Sequence, residues 1–369
     1  MTWPRKKLGE VLEYEQPTKY LVNSTDYRDE YAIPVLTAGK SFLLGNTNEK
    51  NGIFPKEKLP VIIFDDFTTA IKFVDFPFKV KSSAMKILHA RKGEADIRFM
   101  FYKMLTIEFS HNQHKRYWIS ECSKIEIPLP PLAIQKQIVE RLDKIVDAQK
   151  LNDDLIQKSG EFFQSLLHSL IRANSGIVKK LGEIVEVKGG KRIPKGMNFS
   201  SGKTSHPYLR VTDFVSNSIE RDGLKYIDEN VFQHIKRYVI SSKDIYISIA
   251  GTIGLVGKIP SELEGANLTE NAAKLLVNGK KVNQDFLIFC LSTNNAKSQI
   301  RIFTQAVGVP KLALERIEKI KIPIPPLKIQ KQIVEKLSAV QEYKNRLLDQ
   351  KVKLKELFES VLHKSLQNE

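Results

Sequence analysis

The sequence predicts an α+β protein built as a pseudo-two-fold internal repeat: two similar mixed α/β globular domains held apart by two long antiparallel helices that form a coiled-coil spacer. Three observations carry this prediction. The stretch "IPLPPLAIQKQIVERL" (Ile127 to Leu142) returns as "IPIPPLKIQKQIVEKL" (Ile322 to Leu337). Each copy opens a long run with an apolar or gap-filling position every three to four residues, the spacing of a helical seam. The segments ahead of each copy alternate short β-rich runs with Gly, Asn, Thr and Lys turns.

In chain order, the first copy begins at "LGEVLEY" (Leu8 to Tyr14), answered later by "LGEIVEV" (Leu181 to Val187). Strand-like stretches follow, "VIIFDDFTTAIKFV" (Val61 to Val74) in the first block and "IYISIAGTIGLVG" (Ile245 to Gly257) in the second. "IPVLTAGK" (Ile33 to Lys40) aligns with "HPYLRVTD" (His206 to Asp213), and "KSSAMKIL" (Lys81 to Leu88) with "TENAAKLL" (Thr269 to Leu276). The two blocks therefore read as one fold with divergent loops. Pro131 and Pro326 stand at a helix entrance, where a missing N–H is harmless.

Beyond the hinges the first seam includes Ile138, Leu142, Ile145, Asn152, Phe163 and Leu166, and the second Ile333, Leu337, Val340, Leu347, Phe358 and Val361. Both keep a strict heptad with polar interruptions near the middle, the pattern of a coiled coil with register-fixing polar layers. A helix of about 40 residues is ~60 Å long and cannot bury its seam alone. Two copies of one unit pack about a two-fold axis, which makes the helices antiparallel, puts the blocks at opposite ends and brings Asn152 near Leu347 and Lys351. The expected organisation is a first globular domain over residues 1–130, a helix over 131–173, a second domain over 174–325 and a second helix over 326–369.

Composition narrows the function. The chain of 369 residues carries a formal net charge of +16. The excess sits mainly on the two non-repeated blocks, while the first helical segment is neutral. That distribution favours a polyanionic partner, most often nucleic acid. Every apolar run is shorter than the ~18 residues of a spanning helix, and no apolar core follows the basic start, so neither membrane nor secretion is expected. Cys122 and Cys290 alone provide neither a disulfide framework nor a thiolate metal site. A cytoplasmic protein is the simplest expectation.

The sequence carries no convincing catalytic motif. "GTIGLVG" has neither Rossmann nor P-loop spacing and reads as a turn that brings backbone close to a partner. Asp65 and Asp66 are neighbours on a strand and point to opposite faces. Glu186/Lys188 and Glu342/Lys344 lack the upstream Asp of a nuclease site. "HNQH" (His111, His114) has no companion ligands, and His168 and His363 lie off the seams. The doubled prolines follow Leu or Ile, not the Asp or Asn of an amino-methyltransferase motif. The chain reads as no enzyme, and no catalytic or metal-ligating residue is assigned.

The polar turns are the binding candidates. In the first block these are Gln16, Thr18, Lys19, Thr37, Lys40, Asn46, Thr47 and Asn48, with Thr68 and Thr69 in "FDDFTT". In the second they are Lys188, Lys191, Arg192 and Lys195 in "KGGKRIPKG", Arg210, Thr212 and Asp213 in "YLRVTDF", and Thr252 in "GTIG". Lys and Arg suit phosphates, Arg192 suits a bidentate pair with guanine, and the Thr, Asn and Gln side chains suit base edges.

The doubled hinge "IPLPPLAIQKQIVERL" and the "LGE" block starts closely resemble the specificity subunit of type I restriction–modification systems, over nearly the whole chain. The resemblance implies that the blocks are target-recognition domains, each reading one half of a bipartite double-stranded DNA sequence. It implies that the helices act as a ruler and dock two methyltransferase subunits, with restriction subunits added in the larger complex. It also implies that S-adenosylmethionine, ATP and magnesium are used by those partners and that this chain holds no cofactor. Two other readings stand beside it: a coiled-coil scaffold whose globular ends bind proteins rather than DNA, and a fused restriction–methyltransferase enzyme, against which the end of the sequence at Glu369 argues.

Overall fold

Residues 3–38, 42–109, 116–174, 176–215, 218–304 and 310–366 are described by the computed structural model of the chain. They form two compact units, Met1–Asp154 with Leu348–Glu369, and Leu155–Leu347.

In the first unit the chain runs β1 (Arg5–Lys7), α1 (Leu8–Val11), β2 (Leu12–Glu15), β3 (Ile33–Leu36), β4 (Leu43–Thr47), β5 (Val61–Asp65), β6 (Ile71–Val74), β7 (Lys79–Val80) and β8 (Met85–Ala90). Then come α2 (Ile97–Leu105), α3 (Tyr117–Ser120), β9 (Glu126–Pro128) and the long α4 (Leu132–Ala173), whose first half belongs here. An antiparallel sheet has the order β2-β8-β5-β6, and a three-stranded sheet has the order β4-β3-β7 with β3 and β7 parallel. "VIIFD" is buried along its whole length, which explains the unbroken apolar run from Val61 to Phe64.

The second unit takes the other half of α4, then β10 (Ile177–Lys180), β11 (Val185–Gly189), β12 (His206–Leu209), β13 (Phe214–Val215), β14 (Ser218–Ile219) and β15 (Lys225–Ile227). It continues with α5 (Glu229–Ile235), β16 (Val239–Ile240), β17 (Ile245–Ser248), β18 (Val256–Gly257), β19 (Ala266–Leu268) and β20 (Ala272–Val277). It ends with α6 (Gln284–Leu291), α7 (Asn294–Phe303), α8 (Leu314–Ile317), β21 (Lys321–Ile324) and the long α9 (Leu327–Leu366), whose last part returns to the first unit. The sheet β11-β20-β17-β18 repeats the order of β2-β8-β5-β6, and β12 and β19 repeat the parallel pair β3 and β7. The fold is the duplicated α+β arrangement that the sequence predicts.

The repeated motifs close each block. β1 pairs with β9, and β10 with β21, so a block start is zipped to its own hinge. The Leu8 N–H donates to Ile125 O at 2.9 Å, and the Leu181 N–H to Ile320 O at 2.9 Å. Each residue of "LGE" has a part: Leu8 and Leu181 are fully buried, and Glu10 and Glu183 accept the backbone N–H of Lys7 and Lys180. A Cβ on Gly9 or Gly182 would stand 3.0 Å from Ser123 or Glu318, so the glycine admits a close crossing.

The hinge glutamines are a second shared device. Pro131 O accepts the N–H of Ile134 and Gln135, and Pro326 O those of Ile329 and Gln330, which starts both long helices one residue after the proline. Gln135 and Gln330 are fully buried. The Gln135 Oε1 accepts the Asp96 N–H at 2.8 Å, and the Gln330 Oε1 the Asn283 N–H at 2.8 Å. Asp96 and Asn283 are in turn the N-caps of α2 and α6. One glutamine per copy thus fastens the start of α2 or of α6 to the long helix that closes its block.

α4 and α9 have 42 and 40 residues. Within the first unit they lie antiparallel, with the Gln149 amide donating to Leu354 O at 3.1 Å and Lys351 pairing with Asp153 at 2.9 Å. Ile138 and Leu142 share a cluster there with Phe358, Val361, Leu362 and Leu366. Within the second unit Phe163, Leu166 and Leu167 share a cluster with Ile333, Leu337 and Val340. Asn152 and Leu347 are buried, and Ile145 is half-buried. The strict heptad needs one correction at the helix ends. Leu167 is buried more deeply than Leu166, and Leu362 and Leu366 more deeply than Val361 and Ser365. A straight helix turns every 3.6 residues, so a 3.5-residue seam falls behind by about one position over several heptads.

Candidate nucleic-acid interface

The second unit contains a cleft of about 650 Å³ lined by Arg192 and Ile193 with Met197 to Phe199, by Tyr208 with Arg210 to Thr212, by Ala250 to Thr252 and by Thr269 to Asn271. Its floor depends on "KGGKR". The Gly190 N–H donates to Ala272 O at 3.0 Å and the Lys191 N–H to Leu268 O at 2.8 Å. A Cβ on Gly190 would lie 2.1 Å from Thr269 O, so only glycine allows the two segments to cross. The buried Tyr208 donates its hydroxyl to Lys191 O at 2.8 Å. Arg192 therefore leaves the crossing from a fixed point.

The Arg192 Nε donates to Glu270 Oε1 at 2.6 Å, and the Thr269 hydroxyl donates to Glu270 Oε2 at 3.0 Å. Burial works to raise the Glu270 carboxyl, but the Arg192, backbone and Thr269 hydrogen bonds outweigh it and hold the group below its ordinary value. On the next wall Arg210 donates to Asp213 through Nη2 at 2.6 Å and Nε at 3.1 Å, and Asp213 also accepts the Arg210 N–H at 2.8 Å. The third wall is a turn closed by Ser248, whose hydroxyl donates to Thr252 O at 2.5 Å and accepts the Leu255 N–H at 2.8 Å. Gly251, at φ +73°, supplies the left-handed step of that turn.

The structure thus brings Arg192, Arg210, Thr212 and Thr252 to one cleft. Lys188 is exposed beside Glu186 at 3.0 Å, Lys191 lies over the Tyr238 ring at 5.8 Å, and Lys195 is exposed in the turn closed by Met197 N–H to Pro194 O. In the first unit the predicted residues are spread over three stretches. Gln16, Thr18 and Lys19 are exposed around the turn Pro17–Tyr20. Thr37 and Asn46 are half-buried and Asn48 is exposed around β3 and β4, and Thr68 is exposed after β5, donating to Asp65. Lys40 lies outside the described residues, as do His111 and His114.

Three predicted contact residues are reassigned to internal roles. Thr47 is fully buried, and its hydroxyl accepts the Glu49 N–H. Thr69 is buried at φ +57°, with its hydroxyl on Thr68 O at 2.6 Å. Asp213 is buried and occupied by Arg210. Conversely, Asn198, Glu270 and Asn271 line the cleft and were not selected from sequence. The available signal was "TEN" directly ahead of an aligned strand.

No group of three or more His, Cys, Asp or Glu side chains that could hold a metal ion occurs among the described residues. Among them, no helix is long and apolar enough to cross a membrane.

A mixed α/β unit that occurs twice, each copy fastened to a long helix and the second carrying a cation-bearing, turn-walled cleft, defines a class of internally duplicated recognition proteins. The chain belongs to the type I restriction modification DNA specificity domain family, whose description matches twice, over residues 1–158 and 177–359. It is 34% identical over 356 residues to the type I restriction enzyme EcoR124I/EcoR124II specificity subunit of Escherichia coli, covering 93% of this chain and 87% of that protein. It is 24% identical to the MjaVIII specificity subunit of Methanocaldococcus jannaschii, covering 77% of this chain and 72% of that one. A crystal structure of the S subunit from M. genitalium has the same fold, with a TM-score of 0.61, 16% identity and coverage of 99% of this chain and 96% of that one. This chain is a specificity subunit of a type I restriction–modification system, a DNA-recognition component without catalysis of its own that works beside other subunits.

Proposed function

We propose that residues 1–130 and 174–325 each read one half of a bipartite double-stranded DNA target. Residues 131–173 and 326–369 set the spacing between the halves and dock two methyltransferase subunits, with restriction subunits joining the larger complex. The observation that supports this reading best is the duplication itself: one strand order occurs twice, while most side chains on the turns differ between the copies. Divergent loops on a common scaffold suit two different half-sites. The exposed Gln16, Thr18, Lys19, Asn48 and Thr68 serve the first half-site, with the half-buried Thr37 and Asn46. Lys188, Lys191, Arg192, Lys195, Thr212 and Thr252 serve the second, with the half-buried Arg210.

S-adenosylmethionine, ATP and magnesium belong in this scheme to the partner subunits, and the assembly works on DNA in the cytoplasm. The test is an exchange of residues 1–121 for the corresponding block of another specificity subunit, with methylated motifs mapped in cells that also express the methyltransferase partner. One half of the motif is expected to change while the other stays. A change in both halves would refute modular reading. A protein-binding scaffold instead predicts no chain-dependent motif and no salt-dependent DNA affinity.

A further inference from the structure

A carboxylate in a cleft that faces DNA works against phosphate binding, so Glu270 needs an explanation. Stability does not supply one. Arg192 is 76% exposed in its pair with Glu270, and ion pairs so open contribute little. The surroundings are nonetheless built: Thr269 holds the second oxygen of Glu270, and the backbone on both sides of the pair is zipped through Gly190, Lys191 and Leu268.

We propose that Glu270 is a positioning residue that aims Arg192 at a guanine in the half-site read by the second unit. This rests on the reading of the chain as a two-headed DNA-specificity subunit. The carboxylate takes the Nε side of the guanidinium. Arg192 has no other hydrogen bond or ion pair among the described residues, so its Nη1–Nη2 edge is left free. That edge carries the two parallel N–H donors that match O6 and N7 of guanine in the major groove. A guanidinium held from behind surrenders less side-chain freedom on binding than a free one, and presents its fork in one direction. The device is confined to one unit. The strand registers make Leu88 and Leu275 equivalent, so Ser83 stands in the first unit where Glu270 stands in the second.

The test uses the full chain with its methyltransferase partner, carrying Glu270→Ala, Glu270→Gln or Arg192→Ala. Methylated motifs are mapped, and binding to DNA substituted at each motif position is measured. The wild type is expected to require a guanine at one position of the half that follows residues 174–325 in domain exchange. Glu270→Ala loses about tenfold of the preference for that guanine and keeps every other position. Arg192→Ala relaxes the same position, and Glu270→Gln, which can still accept from Nε, falls between Glu270→Ala and wild type. The salt dependence of binding is unchanged in the Glu270 variants, because no phosphate contact is removed. A Glu270→Ala protein with the wild-type motif and undiminished discrimination overturns the proposal and leaves the general reading intact. Uniform weakening at all positions also overturns it, by marking a folding role. A wild-type complex that directs no split motif removes the general reading and the proposal together.

Discussion

Gln135→Ala tests whether the hinge glutamine holds the first unit together. Gln135 is fully buried and makes three hydrogen bonds: from the Asp96 N–H at 2.8 Å, to Pro130 O at 2.8 Å and to Glu94 O at 3.2 Å. Truncation strands a backbone donor and a carbonyl in the interior, each at a cost of about 1–3 kcal/mol. Glu94 is exposed, and its carbonyl can turn to water. Two orphaned groups at mid-range give a loss of about 4 kcal/mol. Both tryptophans of the chain, Trp3 and Trp118, lie in the first unit, so their fluorescence in a urea titration reports on it. With a slope of about 2 kcal/mol per molar urea, the midpoint should fall by about 2 M. Gln137→Ala, at an exposed position on the same helix, is the control and should stay within about 0.5 kcal/mol of wild type. A Gln135→Ala midpoint equal to that of Gln137→Ala would refute the clamp.

Gly190→Ala forces a Cβ to within 2.1 Å of Thr269 O, so the cleft must open. DNA affinity should drop with a loss of discrimination confined to the second half-site, measured on substituted duplexes. The Lys79 side chain, with the Ser24 and Asn23 N–H groups, holds the Glu49 carboxyl below its ordinary value of 4.5 against an opposing effect of burial. A carboxyl lowered by folding stabilises in full above its unfolded value and loses that contribution as pH falls through the folded one. The stability advantage of wild type over Glu49→Gln should therefore shrink on acidification below 4.5, read from urea midpoints. Inserting one heptad into each long helix adds about 10 Å of rise, so the unspecified spacer of the DNA target should lengthen by about three base pairs in motif mapping. An unchanged spacer would dismiss the ruler.

Much of the fold was legible because duplication writes itself twice. The hinge, the block starts and the aligned strands each have a second copy, and a chance similarity at one place is not repeated at five in the same order. Details that depend on what lies across the interior were hidden. Gln135 and Gln330 sit at the same place in "IQKQ", and that identity was the one hint that they had a job beyond helix surface. The partner N–H groups, on Asp96 and Asn283, lie far away in sequence. The internal roles of Thr47, Thr69 and Asp213 were hidden because small polar residues in turn-rich segments look the same whether they face water or bond an internal backbone group. Glu270 was not legible because its place depends on Arg192, 78 residues away in sequence, and only the folded crossing brings the two together. The seam slipped at Leu167, Leu362 and Leu366 because the heptad assumed supercoiling to the tips, where the helices instead pack against globular blocks.

The threading of α9 also bears on how the protein is made. Its first half completes the second unit, and its last turns supply Phe358, Val361, Leu362 and Leu366 to the core of the first. Lys103 reaches across that core to Leu366 O at 2.7 Å. On the ribosome the block synthesised first is therefore the one finished last. It must wait with an uncovered apolar face until the whole second unit and the segment after it have emerged.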